Sequence, residues 1–183
     1  IVAAAEDEPV LEAVINAKKE GIIIPTLVGD KEQIENIAKK LNLDINGIEI
    51  IDEKNPVTSS QKAVALIKSG KGDILMKGLV ATADLLKAVL NKENGLKKGA
   101  LLSHLALFES NYYHKLLGVT DAAMNVAPTF EEKVEIINNS ISVFHKIGIQ
   151  NPKVAVISAV EVVNPKMECT IHASMLTMMN KRG

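Results

Sequence analysis

Residues 73–90 read DILMKGLVATADLLKAVL. An apolar run stops at Lys77-Gly78, and a helical pattern begins at Thr82 and carries Asp84 in its first turn. Lysine supplies a full positive charge, and glycine lets backbone approach a ligand closely. A helix N-terminus adds free N–H groups and a partial positive charge. Together these are the parts of a phosphate site. The same residues also read as a turn glycine beside a solvated lysine, and spacing alone leaves both readings open. Neither a Walker sequence nor a GxGxxG fingerprint occurs, which weakens ATPase and dinucleotide-binding readings.

Three further stretches place polar groups among apolar ones. Thr120-Asp121-Ala-Ala-Met124-Asn125-Val-Ala-Pro128 projects two polar side chains from a run of small residues. Asp121 reads as a helix cap or as a site residue, and Asn125 as a turn residue ahead of Pro128. Ser158–Met167, SAVEVVNPKM, leads a helix with Asn164-Pro165-Lys166, either an ordinary Asn-Pro turn or a cation and an amide near a helix N-terminus. Ser103-His104 lies in an apolar stretch and reads as a site or as a hydrogen-bonded core histidine. His104, His114, His145 and His172 lack the spacing of metal ligands, and Cys169 has no base close by in sequence.

The elements that must position these groups follow a simple rhythm. Ile1–Ala5 is an apolar run, and Glu6-Asp7-Glu8-Pro9 opens a helix whose Val10, Leu11, Val14 and Ala17 recur at helical spacing until Gly21. Strands are predicted over 22–28, 48–51, 73–76, 100–108, 116–119 and 153–158. Helices are predicted from Asp30, from Asn55-Pro56 to Lys68, over 82–90, from Thr129 or Pro128 to Gly148, and from about Thr170. Strands alternating with helices imply parallel pairing with right-handed crossovers, hence a doubly wound α/β fold. Ligands of such sheets bind beyond the carboxyl ends of the strands, where Lys77-Gly78 falls.

Composition bounds the function. Apolar residues make up 47% of the 183, aromatics 3%, and the formal charge is −1. The core is built from Ile, Leu, Val, Ala and Met, and nothing in the charge balance favours nucleic acid or an anionic membrane surface. No apolar stretch nears the roughly 20 residues of a spanning helix. One cysteine excludes an intramolecular disulfide and fits a reducing, cytoplasmic setting. The chain opens inside an apolar run without methionine and closes on Lys181-Arg182-Gly183, so truncation at both ends is expected.

GDILMKGLVATADLLKAVLNKENGL, LLSHLALFE, TDAAMNVAP and VAVISAVEVVNPKM, taken in order, resemble the phosphate acetyl/butyryltransferase family. The resemblance implies reversible transfer of a short acyl group, butyryl, between CoA and inorganic phosphate to give butyryl phosphate. It implies a fold similar to isocitrate dehydrogenases, with two α/β domains, an active site in the cleft between them, and a homo-oligomer. The first domain is expected over 1–116 and an incomplete second over 117–183. Acyl-CoA and phosphate are the expected partners, with no metal or redox cofactor, no nucleic acid and no membrane.

The substrate-binding residues that follow are Lys77, Gly78, Thr82, Ser103, Asn125, Ser158, Asn164 and Lys166. The family's Ser-Arg pair and nearby Asp, which stabilise the carbonyl oxygen and deprotonate the thiol, are expected beyond residue 183. Asp121 is not assigned that role. VNPKM and LVATADLL favour butyryl over acetyl. The alternatives are phosphate acetyltransferase, a non-catalytic CoA- or phosphate-binding paralogue, and a decarboxylating dehydrogenase, for which no carboxylate cluster is found.

Overall fold

A computed structural model describes residues 1–97, 99 and 101–183. They form two compact units, Ile1–Lys98 and Gly99–Gly183. The boundary expected after residue 116 falls within a strand of the second unit, while the chain's own contacts divide it at 98/99.

In the first unit the chain alternates strand and helix as its periodicity dictates. The elements are β1 (Val2–Ala3), α1 (Glu8–Lys19), β2 (Thr26–Gly29), α2 (Lys31–Lys40), β3 (Glu49–Asp52), α3 (Pro56–Lys68), β4 (Met76–Lys77) and α4 (Thr82–Val89). All four strands are parallel, in the order β3-β2-β1-β4. Side chains of a strand alternate between faces, so Val2, Leu27, Ile50 and Met76 pack with Leu11, Val14 and Ile34 of α1 and α2. Ala3, Val28, Ile51 and Leu75 pack with Ala63, Leu66 and Leu85 of α3 and α4. Each face of the sheet is thus covered by a pair of helices.

Helix ends sit where the cap chemistry puts them. Asp30 caps α2 by accepting from Gln33 N–H, and Asn55 caps α3 by accepting from Val57 and Thr58 N–H. Gly21 and Gly70 lie just past helix ends with φ of +71° and +77°, where a side chain is strained. The strand predicted over 22–28 is shorter than its apolar run: Ile22 and Ile24 are exposed, and ladder pairing starts only after Pro25, which has no N–H to give. The strand predicted over 73–76 begins late, at Met76.

The second unit departs further from the sequence reading. Its strands, β5 (Ala106–Ser110) and β6 (Tyr113–Val119), pair antiparallel, not parallel. The strand expected over 100–108 is confined to its end, and Ala100 lies outside the described residues. Residues 153–158, also expected as a strand, have no strand hydrogen bonding among the described residues. Apolar and β-branched residues are necessary for a strand, but a neighbouring backbone is what makes one.

Two helices complete this unit. α5 (Phe130–Lys146) starts in a capping box: Thr129 Oγ1 accepts from Glu132 N–H, and the Glu132 carboxylate accepts from Thr129 N–H. α6 (Glu168–Arg182) packs on it through His172, whose Nδ1 accepts from the Lys133 ammonium at 2.8 Å and whose ring tilts against Phe130.

Candidate functional site

The strand order of the first unit creates a switch point. The chain leaves β1 through α1 toward β2 on one side, and returns through α3 to β4 on the other. Helices consequently diverge at the carboxyl ends of β1 and β4, the place where open α/β sheets bind ligands. Those ends are Ala4-Ala5-Glu6 and Lys77-Gly78.

At this point β1 and β4 nearly touch. Gly78 N–H donates to Ala3 O at 2.8 Å, and Leu79 N–H to Ala4 O at 2.6 Å. A Cβ on Gly78 would stand 2.0 Å from Ala4 O and 2.7 Å from Ala3 O. The glycine is therefore required by backbone packing, whatever else it does. Ala4 itself is buried and left-handed, with φ of +51°. Its N–H donates to Ser59 Oγ, which donates on to Val28 O, so α3 holds the end of β1 in place.

Lys77 is exposed, and its ammonium donates to the carbonyls of Gly78 (3.2 Å) and Val80 (3.0 Å). It bends over its own loop just before α4. The N-cap of α4 is Ala81, which offers no side-chain acceptor, and Thr82 beside it is exposed. A lysine ammonium and an uncapped helix N-terminus thus lie within five residues of one another at the switch point. Both favour an anion.

Glu6 enters the same end of the sheet, in the strand-end stretch Ala5-Glu6-Asp7 just after β1. It is buried, and its carboxylate accepts from Asp30 N–H at 3.2 Å. A Cβ on Gly29 would come within 2.0 Å of that carboxylate, so Gly29 makes room for it. Burial pushes the Glu6 carboxyl above its ordinary value, more than the N–H groups of Glu6 and Asp30 pull it down. The signal available in sequence was an acid directly after a buried strand.

In the second unit Asp121 organises a polar cluster. One carboxylate oxygen accepts from Ala123 N–H (2.9 Å) and Met124 N–H (2.8 Å). The other accepts from His104 N–H (3.1 Å) and Asn125 Nδ2 (2.5 Å). Burial alone would raise this carboxyl; the donors of Met124, Ala123, His104 and Asn125 outweigh it and hold it at about 2. Asp121 is not a helix cap: the next helix starts only at Phe130, and the carboxylate binds the N–H groups of its own loop instead. Asn125 also donates to Leu102 O, and Asn139 of α5 donates to Leu101 O and Ser103 Oγ. Ser103 and Asn125 are therefore brought into one network, with Asn139 as a partner the sequence did not reveal.

Ser158, Asn164 and Lys166 do not gather in the same way. Ser158 lines an open groove of about 540 Å³ between residues 156–163 and α6, and its hydroxyl oxygen is buried. Neither Asn164 nor Lys166 lines that groove. Asn164 Oδ1 accepts from Lys166 N–H, and Asn164 N–H donates to the buried Thr170 hydroxyl. This is the Asn-Pro turn reading, locked onto the first turns of α6. Lys166 is exposed. Cys169 is half-buried and free, and no three His, Cys, Asp or Glu side chains gather as metal ligands would among the described residues.

The sequence profile of the family described as phosphate acetyl/butaryl transferase matches residues 1–61 and 55–183. The phosphate butyryltransferase of Clostridium acetobutylicum is 53% identical over 182 residues, covering all of this chain and 60% of its own. The phosphate acetyltransferase of Thermotoga maritima is 38% identical, covering all of this chain and 62% of its own. A crystal structure of a branched-chain phosphotransacylase from Enterococcus faecalis superimposes with a TM-score of 0.81 at 31% identity, over 97% of this chain and 62% of that one. The chain spans about 60% of the length of the curated relatives it matches. With an α/β first unit, a strand-end lysine at the switch point and a family match along its whole length, the chain belongs to the phosphate acetyl/butaryl transferase family.

Proposed function

We propose that the protein transfers a short acyl group, butyryl, between CoA and inorganic phosphate, releasing butyryl phosphate. The observation that carries this is Lys77. Its ammonium stands at the switch point beside an uncapped helix, and the two carbonyls it now meets are weak partners that a phosphate oxygen readily replaces. Acyl transfer places negative charge on an acyl oxygen and on phosphate, and fixed donors are what such a site must supply. In this reading Lys77, Gly78 and Thr82 form the phosphate contact of the first unit. Ser103 and Asn125, held by Asn139 and Asp121, are substrate contacts of the second unit, together with Ser158, Asn164 and Lys166. The butyryl-specific names among relatives above half identity favour butyryl over acetyl.

The same reading gives a fold like that of isocitrate dehydrogenases, a cytoplasmic homo-oligomer, and no cofactor beyond the two substrates. Phosphate-dependent release of CoA from butyryl-CoA by the complete gene product tests it, with acetyl-CoA and propionyl-CoA alongside. No phosphate-dependent turnover with any of the three would overturn it. Lys77→Ala is expected to raise the KM for phosphate about tenfold, the loss of one hydrogen bond to a charged group. An unchanged KM would remove Lys77 from the site.

A further inference from the structure

We propose that His104 is a substrate-contacting residue, its Nδ1 donating to an anionic phosphate oxygen, with Asp121 as the residue that positions it. The inference rests on the acyltransferase reading and begins from an irregular segment. Residues 101–104 precede β5 and belong to no helix or strand, yet each is tied down by a side chain. Asn139 reaches Leu101 O and Ser103 Oγ, and Asn125 reaches Leu102 O. His104 is held at both ends of its own peptide: its N–H donates to Asp121 Oδ2 at 3.1 Å, and its carbonyl accepts from Thr120 Oγ1 at 2.6 Å. A histidine with its backbone clamped on one dipeptide has little freedom to swing its ring away.

The ring does not use that rigidity on a protein partner. Nδ1 of His104 is buried and finds no hydrogen-bond partner among the described residues. Buried polar atoms are paired in the great majority of cases, so an orphan on a clamped residue needs an explanation. A core histidine, the other reading of Ser103-His104, satisfies both nitrogens, and this one does not. Asp121 does not take the role: its carboxylate already accepts four other donors, one of them the backbone N–H of His104 itself. In a neutral imidazole one nitrogen carries a proton and the other a lone pair. With the proton on Nδ1 the ring is a fixed donor, and the substrate group carrying permanent negative charge is phosphate. The phosphates of CoA share that chemistry; the proposal is for inorganic or acyl phosphate, and the assay separates the two.

The experiment uses the complete gene product and two substitutions. His104→Phe keeps the ring and removes both nitrogens, while His104→Asn keeps an amide donor near the Nδ1 position. With His104→Phe the KM for phosphate is expected to rise about tenfold or more, the loss of one hydrogen bond to a charged group. The KM for butyryl-CoA stays unchanged, and His104→Asn recovers most of the loss. The melting temperature of His104→Phe stays at or above wild type, since an unpaired buried nitrogen has been removed. Asp121→Asn shifts the KM for phosphate in the same direction as His104→Phe.

An unchanged KM for phosphate in His104→Phe overturns the proposal. So does a rise confined to the KM for butyryl-CoA, or a His104→Asn variant no better than His104→Phe. Calorimetric titration with inorganic phosphate alone requires no turnover. Weaker binding to His104→Phe than to wild type supports the contact even if the enzyme fails to turn over butyryl-CoA. Equal binding removes it even if turnover is robust.

Discussion

The two units of the chain differ in how completely they enclose themselves. Of the buried apolar residues, all but Ile136 lie in the first unit, where β1 and β2 are wrapped by four helices. In the second, Leu107, Phe108, Tyr113, Leu116, Leu117 and Val119 of the hairpin are each at least two-fifths exposed, and so are Val154 and Ile157 of the unpaired apolar segment. Both units have the apolar composition of a core. What differs is the number of backbones available to pair with and helices available to cover them. A hydrophobic pattern states where burial is wanted, and burial itself needs a partner surface.

That contrast makes measurable claims. The largest effect is expected in the sealed core. Leu27→Ala, at a position with no exposed surface, should cost about 2–5 kcal/mol, whereas Leu117→Ala on the open hairpin should cost under about 1 kcal/mol. Hydrogen exchange on the complete gene product reads each unit separately. Equal losses at the two sites would show that the hairpin is buried in the working protein and would break the contrast.

The next effect compares two glycines. A Cβ on Gly78 meets two backbone carbonyls, which cannot move without parting β1 from β4, and Gly78→Ala should cost roughly 2 kcal/mol or more. A Cβ on Gly118 meets the tip of the Phe144 ring at 2.6 Å, and a ring can turn aside, so Gly118→Ala should cost about 1 kcal/mol. Thermal melts of the two variants rank them. The reverse order would mean that the hairpin is the stiffer element.

A smaller effect is the opposite pH response of two acids, the buried Glu6 and the half-buried Asp121. Asp121 is held at about 2 against an ordinary 3.8, so it stabilises the second unit at and above the ordinary value. That contribution is lost as pH falls through about 2. Glu6 is raised above its ordinary 4.5, so its penalty on the first unit is absent below that value. The penalty grows as pH rises through the folded-state pKa. Asp121→Asn should therefore lower the melting temperature at pH 7, with the deficit shrinking toward pH 2. Glu6→Gln should raise it at pH 7 and confer nothing below about pH 4. Shifts of the same sign at pH 7 would contradict the two environments. Smallest of all, Thr129→Ala should cost about 1 kcal/mol by opening the capping box of α5.

Much of the candidate site was legible because it follows from position along the chain. Lys77-Gly78 sits where an apolar strand yields to a helix, and that alone placed it at a strand end. Other parts were not legible. Ser59 and Asn139 act on residues more than twenty positions away, and no local pattern marks them. Gly78 read either as close approach to a ligand or as a turn glycine; its tightest neighbour, the Ala4 carbonyl that an added Cβ would meet at 2.0 Å, is reached only through the β1–β4 pairing. The turn at Asn164 is held by the hydroxyl of Thr170, six positions on, a partner the Asn-Pro dipeptide alone does not reveal.

Periodicity, caps and breakers by themselves determined the helices, the α/β class of the first unit and the strand-end location of Lys77, because these depend on neighbours within a few residues. The tertiary structure alone decided the strand order that makes a switch point, the antiparallel sense of β5 and β6, and the absence of a strand over 153–158 among the described residues. Each depends on which distant backbone comes to lie 4.8 Å or so away, the spacing of a sheet, and a run of apolar residues is silent on that.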